Sequence, residues 1–504
     1  MDIACLYMQS SSINTVLIYP KVGDEAYAVP HIPLSVLSVA SATQQKGYSV
    51  KIIDQRVESD WKKAIKNSIS DSLLCFGISS MTGPQINYAI EIAKYIKNQY
   101  PGIPIVWGGV HASLLPEQTL ESGFVDIVVL REGEITFPEL MDALRTQGDI
   151  SAIKGIAYKN KQDKIVVNPH REFCNLNKYA FLNYDLLDLE AYQKQGQERV
   201  PRTASVSLYT SRGCQFKCTY CYNNSFHDST WRGQSAEIVI QNLSKLYENG
   251  IRNFIICDEY FFQDLERART VCKTIIEMGM LLRFYFVNCR LDQIKRMTDD
   301  DLELFVKAGI KDLFIGIESG SSEELKRIKK GIDLSYLDEA CKRLLSKGIA
   351  IQFSFMLGMP EETIDDIKKT VKLMGDILKK FPECFVPSPG KFIPFPGTKS
   401  YSKAILKGWK YPKSLAEWGD IVNTVNCEKW LGEKIGQVAK KVGFFASAID
   451  TKINPRANVL LEAMRKIYSI IARWRVTHGY LEFVPEYYIM KSPLAKMLKK
   501  KKIV

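Results

Sequence analysis

The sequence predicts an α/β protein: an N-terminal doubly wound, Rossmann-like domain, then a partial (β/α)6 barrel, then a mainly helical C-terminal region. Three observations predict it. Short apolar runs alternate with amphipathic helical stretches in two separate parts of the chain, which implies βαβ units and parallel sheets. Glycines fall where the helices of the second part should stop. The chain has 504 residues, 46% hydrophobic and 25% charged. It is ordinary globular material, and too long for one domain.

The first series occupies 1–149. Residues 14–20 read as a strand, 36–46 as a helix stopped by Gly47, and 48–54 and 73–79 as strands. Residues 85–99 read as a helix, and 103–107 and 125–130 as short strands. Loops at the carboxyl ends of such strands are where ligands sit. Residues 150–202 form a connector. Within it, 155–167 alternates apolar and polar residues about a polar turn, as a hairpin does. The stretch holding Pro169, Asn175, Asn177 and Asn183 has little periodicity.

The alternation resumes over 203–399. Strands are expected at 204–210, 253–257, 284–288, 311–317, 349–356 and 383–392. Helices are expected at 235–249, 264–278, 299–308 and 334–347. Asp299 or Asp300 and Ser335 are N-cap candidates, and Gly250, Gly279, Gly309 and Gly348 stand at C-cap positions. Six βα units in one series point to a partial barrel, with catalytic groups at the C-terminal ends of its strands. Residues 400–504 are richer in helix. In 458–475, Leu460, Met464, Ile467, Ile471 and Trp474 form one apolar stripe.

The net charge is +12. From Lys452 to Val504 twelve Lys and Arg face three Glu, an excess of +9. That placement argues against nucleic acid as a partner and for a basic C-terminal appendage. No apolar run approaches the ~20 residues of a bilayer span. The N-terminus lacks a basic n-region and a small-residue cleavage site, so a cytoplasmic protein is expected. The tail adds peripheral membrane contact as an expectation. The alternative is a helix packed on the barrel followed by a solvated Lys run.

The strongest motif is Cys214-Gln-Phe-Lys-Cys218-Thr-Tyr-Cys221, just after the strand at 204–210. Three thiolates in eight residues can hold three corners of an iron–sulfur cube, leaving the fourth iron to a substrate or cofactor. The alternative is structural zinc, which wants four closed ligands in paired spacings. No second pair is evident, and His227 is the candidate fourth ligand. The other cysteines are scattered and read mostly as small buried hydrophobes.

A CxxxCxxC motif at the first βα loop of a partial barrel resembles the radical S-adenosylmethionine (SAM) enzymes. The resemblance implies a [4Fe–4S] cluster on Cys214, Cys218 and Cys221, with SAM chelated to the open iron. The reduced cluster would cleave SAM to a 5′-deoxyadenosyl radical. Further residues resemble the family's SAM contacts. Tyr220 resembles the aromatic beside the adenine. Asp258 and Glu259, after Cys257, resemble the segment at the methionine amino group, although the usual Gly-Gly-Glu is absent. Asn288 and Arg290 end the third strand. Glu318 resembles the strand-end acid that meets the ribose or the methionine carboxylate. Gly358-Met-Pro-Glu361-Glu-Thr resembles the turn near the adenine, and Phe395-Pro-Gly-Thr398 the barrel-closing segment of one large subgroup.

The preceding domain resembles the cobalamin-binding domain of the B12-dependent branch of that family. The residues are Pro33 to Ser38, Ser79 and Ser80, Gly108 and Gly109 with His111, and Glu132-Gly133-Glu134. Small residues at strand ends let backbone approach a large flat corrin. The alternative is a domain that keeps the fold and has lost the ligand. Where methionine-synthase-type domains place a cobalt-ligating His, this chain has Arg56, whose guanidinium has no lone pair to give. The cobalt's lower face would then be unligated by protein, with Arg56 nearby.

The combination implies a methyltransferase acting on an unactivated carbon through methylcobalamin and a 5′-deoxyadenosyl radical. Non-methylating oxidative cyclisation or rearrangement is the runner-up, and a non-catalytic iron–sulfur scaffold the alternative from another class. The implied partners are a small-molecule or lipid-like substrate and an external electron donor such as flavodoxin or ferredoxin.

Overall fold

The computed structural model describes residues 13–23, 31–179, 181–192, 206–446, 449, 459–481, 484–485 and 487–488; for 459–467 it describes the backbone alone. Two compact units share the chain. One comprises Met1–Cys214, Ser225–Ile255 and Tyr411–Val425; the other comprises Gln215–Asn224, Ile256–Lys410 and Asn426–Val504.

The first unit opens with β1 (Thr15–Tyr19), α1 (Leu34–Gln45), β2 (Val50–Asp54), α2 (Trp61–Lys66), β3 (Cys75–Ser79), α3 (Gln85–Gln99) and β4 (Ile105–Gly108). It continues with α4 (Val110–Leu114), α5 (Pro116–Glu121), β5 (Ile127–Val129), α6 (Gly133–Thr146), β6 (Ile156–Lys159) and β7 (Ile165–Val167). The sheet order is β2-β1-β3-β4-β5-β6-β7. Strands β1 to β5 run parallel. The connector hairpin forms as expected and adds β6 and β7, antiparallel, to the sheet edge. The order reverses between β1 and β3, the switch point where doubly wound sheets open a crevice. Leu17, Ala40, Val106, Phe137, Leu140 and Met141 lie in the core cluster. Burying such a side chain contributes about 1.5–3 kcal/mol. Helices α1 and α6 approach closely at Gly133, where a Cβ would lie 2.9 Å from Val39 Cγ2.

Also in this unit, β8 (Val206–Leu208) lies beside β11 (Asn253–Ile256). Between them, β9 (Ser211–Arg212) and β10 (Arg232–Gly233) pair antiparallel across the segment that carries the cysteines.

The second unit contains β12 (Arg283–Tyr285), β13 (Val287–Cys289), β14 (Asp312–Glu318), β15 (Ala350–Leu357) and β16 (Gly390–Lys391). Strands β13-β14-β15-β16 form one sheet and pair parallel throughout. Helices Asp299–Lys307, Leu337–Ser346 and Ile364–Lys380 fall between them in the chain. Gly250, Gly279, Gly309 and Gly348 all adopt positive φ at helix ends, as their positions predict.

Four local expectations are corrected. The third strand is two short strands, broken at Phe286 with φ 53°. The sixth shrinks to Gly390–Lys391 plus a bridge at Phe385; Pro382, Pro387 and Pro389 leave that segment short of ladder donors. The helix at 299 is capped by Thr298, neither by Asp299 nor by Asp300. Thr298 accepts from the Asp301 N–H while Asp301 accepts from the Thr298 N–H, a reciprocal box. Ser335 does not cap; Asp333 caps the turn there and accepts the Ser335 N–H. The C-terminal region is helical, ending in Val459–His478. Among the described residues no helix is long and apolar enough to cross a membrane. The Lys run 499–502 lies outside the described residues.

Candidate functional site

The cysteine segment begins where the chain leaves β9. Gly213 has φ 82°, and a Cβ there would fall 2.0 Å from the Thr230 carbonyl oxygen. Only glycine lets the chain turn there against that backbone. Cys214 is half-buried and belongs to the first unit; Cys218, buried, and Cys221, half-buried, belong to the second. The Cys221 N–H donates to the Cys218 carbonyl at 3.2 Å, and Asn224 Nδ2 donates to the same oxygen at 2.6 Å. Thr219 is pinned on both sides, its N–H on Ile328 O and its carbonyl on the Ser400 N–H, each at 2.9 Å. Among the described residues no three His, Cys, Asp or Glu side chains stand together as a metal-ligating group. The donor chemistry of the motif, three thiols within eight residues, suits an iron–sulfur cube with one iron left open.

Around Glu318, at the end of β14, the second unit gathers charge. Glu318 is buried with φ 68°, and the β14–β15 register shifts between Gly316 and Glu318. A non-glycine residue held in that region stores of order 1–3 kcal/mol of strain, a mark of functional sites. Its Oε1 pairs with buried Lys330 Nζ at 3.0 Å, and its Oε2 accepts from Ser354 Oγ at 3.2 Å. Lys330 Nζ also donates to Tyr220 OH at 3.3 Å. Burial first, then the Glu318 charge, pushes the Tyr220 phenol well above its ordinary range, so it stays protonated. Arg290 donates to Lys330 O at 2.6 Å and to Asp292 at 2.9 Å, and its guanidinium stacks 3.4 Å over Phe216 of the cysteine segment. Asn288 donates to the Asp258 carbonyl at 2.6 Å, and Glu259 accepts from Tyr222 OH at 3.3 Å. Gly358, φ 96°, donates its N–H to buried Glu362 at 2.6 Å, and its carbonyl accepts from Trp430 Nε1 at 2.8 Å. Tyr220 and Glu318 thus meet through Lys330, with Arg290 bound to the Lys330 backbone, while Asn288–Asp258 and Glu259–Tyr222 form separate pairs. Sequence reasoning missed Lys330 and Ser354. Neither stands in a motif; Ser354 is visible only as a polar position inside an apolar strand.

The first unit uses its charges differently. Arg56 lies back on Asp54 in a two-pronged pair, Nε to Oδ1 at 2.9 Å and Nη2 to Oδ2 at 2.6 Å, and over the Tyr19 ring at 4.3 Å. Tyr192 OH also donates to Asp54, at 2.7 Å. Glu132 accepts from the Cys174 N–H at 2.9 Å and pairs with Arg232 at 2.6 Å and Arg212 at 3.2 Å. Glu134 pairs with Arg212 at 2.6 Å. Burial alone would raise the Glu132 carboxyl, but the Arg232 hydrogen bond and the Arg212 and Arg232 charges outweigh it, leaving the group at about 2. Arg131 reaches Asp228 at 2.6 Å. No spacing rule connects these residues in the sequence, and Arg212 and Arg232 were not foreseen.

The small strand-end residues lie at the carboxyl edge of the sheet. Ser80 donates to Gly108 O from both N–H and Oγ, at 2.9 and 2.8 Å, and Ser79 Oγ lies 3.3 Å from Ser35 Oγ. Gly109, φ 93°, would place a Cβ 2.5 Å from Ser80 O. Its lack of a side chain therefore first serves the approach of two strand-end loops. His111 is fully buried, its Nδ1 2.9 Å from Thr82 Oγ1 and its Nε2 without a hydrogen-bond partner. Burial pushes its imidazole down to about 3, so it is neutral at any physiological pH. His31 Nδ1 lies 2.7 Å from Ser207 Oγ. A switch-point edge of small residues fits a large planar cofactor that is held by backbone.

The Radical SAM superfamily matches residues 208–374, and the B12 binding domain matches residues 21–141. The first match spans the cysteine motif, and an iron–sulfur cluster is the cofactor of that domain class. An uncharacterized methyltransferase of Pyrococcus horikoshii is 29% identical over 416 residues, 81% of this chain and 86% of the relative. The radical SAM methyltransferase TsrM from Kitasatospora setae, solved with tryptophan substrate and a SAM analog bound, superposes with a TM-score of 0.69. It is 16% identical, over 92% of this chain and 98% of that one. The cobalamin-dependent SAM radical enzyme OxsB, solved with aqua-cobalamin and SAM bound, gives 0.68 at 19% identity, over 98% of this chain and 76% of that one. At such identities the two structures speak for the fold. The two domain matches give the cofactor classes, SAM with its iron–sulfur cluster for one domain and cobalamin for the other. With a B12 binding domain ahead of a radical SAM domain, the chain has the domain composition of the cobalamin-dependent radical SAM enzymes, and it shares its fold with both solved enzymes over most of its length.

Proposed function

We propose that the protein is a methyltransferase that places a methyl group on an unactivated carbon of a small-molecule or lipid-like substrate, fed with electrons by an external flavodoxin or ferredoxin. The observation that carries this reading is the methyltransferase relative matched over 81% of this chain and 86% of its own length. Bound to this fold, the cluster, SAM and cobalamin would supply a 5′-deoxyadenosyl radical and a transferable methyl group. Cys214, Cys218 and Cys221 would hold the cluster. The edge with Ser79, Ser80, Gly108 and Gly109 would hold the corrin.

The chain's own residues bind, orient and exclude water. Glu318, fixed by Lys330 and Ser354, offers its carboxylate to a hydroxyl or ammonium of SAM. Tyr220 stays a neutral phenol next to it. Arg290 holds Phe216, and so steadies the cysteine segment from within the second unit. Arg56, spent on Asp54, gives a metal no lone pair, which supports a weakly ligated cobalt suited to giving up a methyl group. Holding reactants together out of water is what a protein contributes to cofactor chemistry of this kind.

The test is anaerobic incubation of protein reconstituted with iron, sulfide and hydroxocobalamin, with reductant and methyl-labelled SAM. The expected products are 5′-deoxyadenosine together with S-adenosylhomocysteine, the label having left SAM. 5′-Deoxyadenosine alone overturns methyl transfer in favour of oxidative cyclisation or rearrangement. Neither product overturns the radical reading as well.

A further inference from the structure

The helix Val459–His478 reverses the usual arrangement of a surface helix. A helix at the edge of a globular unit normally turns its large apolar side chains inward. Here, among the described side chains, the face toward the neighbouring helix carries small residues: Ser469, Ala472 and Val476 are buried, with Arg475 buried at its margin. The neighbouring helix Ile364–Lys380 meets this one at Gly375, where a Cβ would lie 2.6 Å from the Val476 carbonyl oxygen. Such close backbone approach leaves no room for large side chains between the helices.

The large apolar residues point the other way. Ile470 is 69% exposed, Ile471 43% and Trp474 51%. Counting 100° per residue, these three cluster about the side opposite Ala472 and Val476. Ile471 and Trp474 are the last two members of the apolar stripe read from the sequence. The side chains of its first three members lie outside the described residues. The outward patch continues past the helix end, where Trp474 stacks on His478 at 4.9 Å and tilts against Tyr480, itself 42% exposed, at 5.9 Å. Exposed apolar surface that is contiguous, and not scattered singly, marks an interaction site.

Charge decides what kind of partner fits. The last 53 residues of the sequence carry twelve Lys and Arg against three Glu, and Lys496 and Lys499 to Lys502 come after this helix in the sequence. Exposed Arg473 lies on the same helix beside the patch. A second copy of the chain would bring a second set of these cations and would be repelled. An anionic bilayer offers both things the face lacks, an apolar interior for Ile and Trp and a negative surface for Lys and Arg. Trp is the side chain that favours the membrane–water boundary. Stable attachment generally takes two signals, one apolar and one electrostatic. Each cation near such a surface adds roughly fivefold in partition.

We infer that the outward face carried by Ile470, Ile471 and Trp474 docks the enzyme on an anionic membrane surface. This places the protein where an apolar, membrane-dissolved substrate would be found. It stands apart from the methyl-transfer reading, since docking needs neither cluster nor turnover.

The test is co-sedimentation of the full chain with vesicles of phosphatidylcholine alone or mixed with phosphatidylglycerol. Binding should be at least a hundredfold stronger on the anionic vesicles, roughly fivefold per engaged cation, and weaken steeply with salt. The variant Ile470→Ser, Ile471→Ser, Trp474→Ser changes only exposed side chains. It should keep the thermal midpoint of the parent and lose about tenfold in vesicle binding. Neutralising Lys499 to Lys502 as Gln should weaken binding to phosphatidylglycerol vesicles by up to several hundredfold, roughly fivefold per cation, and leave binding to phosphatidylcholine unchanged. Equal recovery of parent and triple variant in the supernatant overturns the proposal. So does a parent dimer that the triple variant converts to monomer without any vesicle binding, since the face would then be a contact between copies.

Discussion

The two units spend their charges in different ways. In the first, the ionisable side chains of the cobalamin-type domain are tied up in structural pairs: Arg56 on Asp54, Arg131 on Asp228, and Glu132 and Glu134 on Arg212 and Arg232. What remains at the strand ends is Ser, Gly and backbone. In the second, Glu318, Lys330, Ser354 and Tyr220 converge at strand ends, and Glu318 is held in a strained conformation. On the proposed function, the contrast would follow from the ligands. A large corrin can be cradled by shape and backbone contact, so charges near it are available for fastening the fold. A small zwitterion such as SAM has to be caught by charges placed to within a hydrogen bond.

The largest effect expected from this contrast is on stability, at Glu132. Replacing Glu132 by Ala takes the carboxylate from largely buried Arg232 and leaves Arg212 with Glu134 alone, and should cost about 3 kcal/mol in urea unfolding at pH 7. The pH dependence has a definite sign. The folded carboxyl lies at about 2, below its ordinary 4.5. Its contribution is therefore complete above pH 4.5 and is lost as pH falls toward 2. The Ala variant should lack that part of the acid limb. Unfolding curves that coincide for parent and variant would break the claim that these charges are structural.

A smaller effect is expected at Glu318. Glu318→Gln keeps the shape and one acceptor but removes the charge facing Lys330 and the ligand. SAM binding, followed by anaerobic equilibrium dialysis, should weaken about tenfold, the worth of one charge-assisted hydrogen bond. An unchanged affinity would move the SAM contact away from this strand end and erase the difference between the units.

Much of this architecture was legible in the sequence because it rests on local signals. The strands β1 to β5 are apolar runs of the right length, α3 is found at its expected bounds, and each expected C-cap glycine has the positive φ its position implies. The cysteine motif and Glu318 were found because motif and strand end coincide. What was not legible depends on distant partners. Arg212 and Arg232 meet Glu132 across 80 and 100 residues, and Lys330 reaches Tyr220 across 110. Nothing local announces such pairs. The caps at Thr298 and Thr363 were legible in principle, since each is a Thr followed three residues later by Asp. The stripe of the last helix was legible, but its direction was not. Periodicity says that Ile471 and Trp474 share a face, but only the neighbour, through Gly375, says which face is inward.

The central claim is that one chain joins a SAM-binding cluster to a cobalamin that takes no nitrogen from the protein. Low-temperature electron paramagnetic resonance of anaerobically reconstituted, cobalamin-loaded protein tests both halves in one sample. The expected result is a reduced-cluster signal that changes when SAM is added, beside a cobalt(II) spectrum without nitrogen splitting. A cluster signal indifferent to SAM, a cobalt spectrum split by a histidine nitrogen, or cobalamin that does not stay with the protein would contradict it.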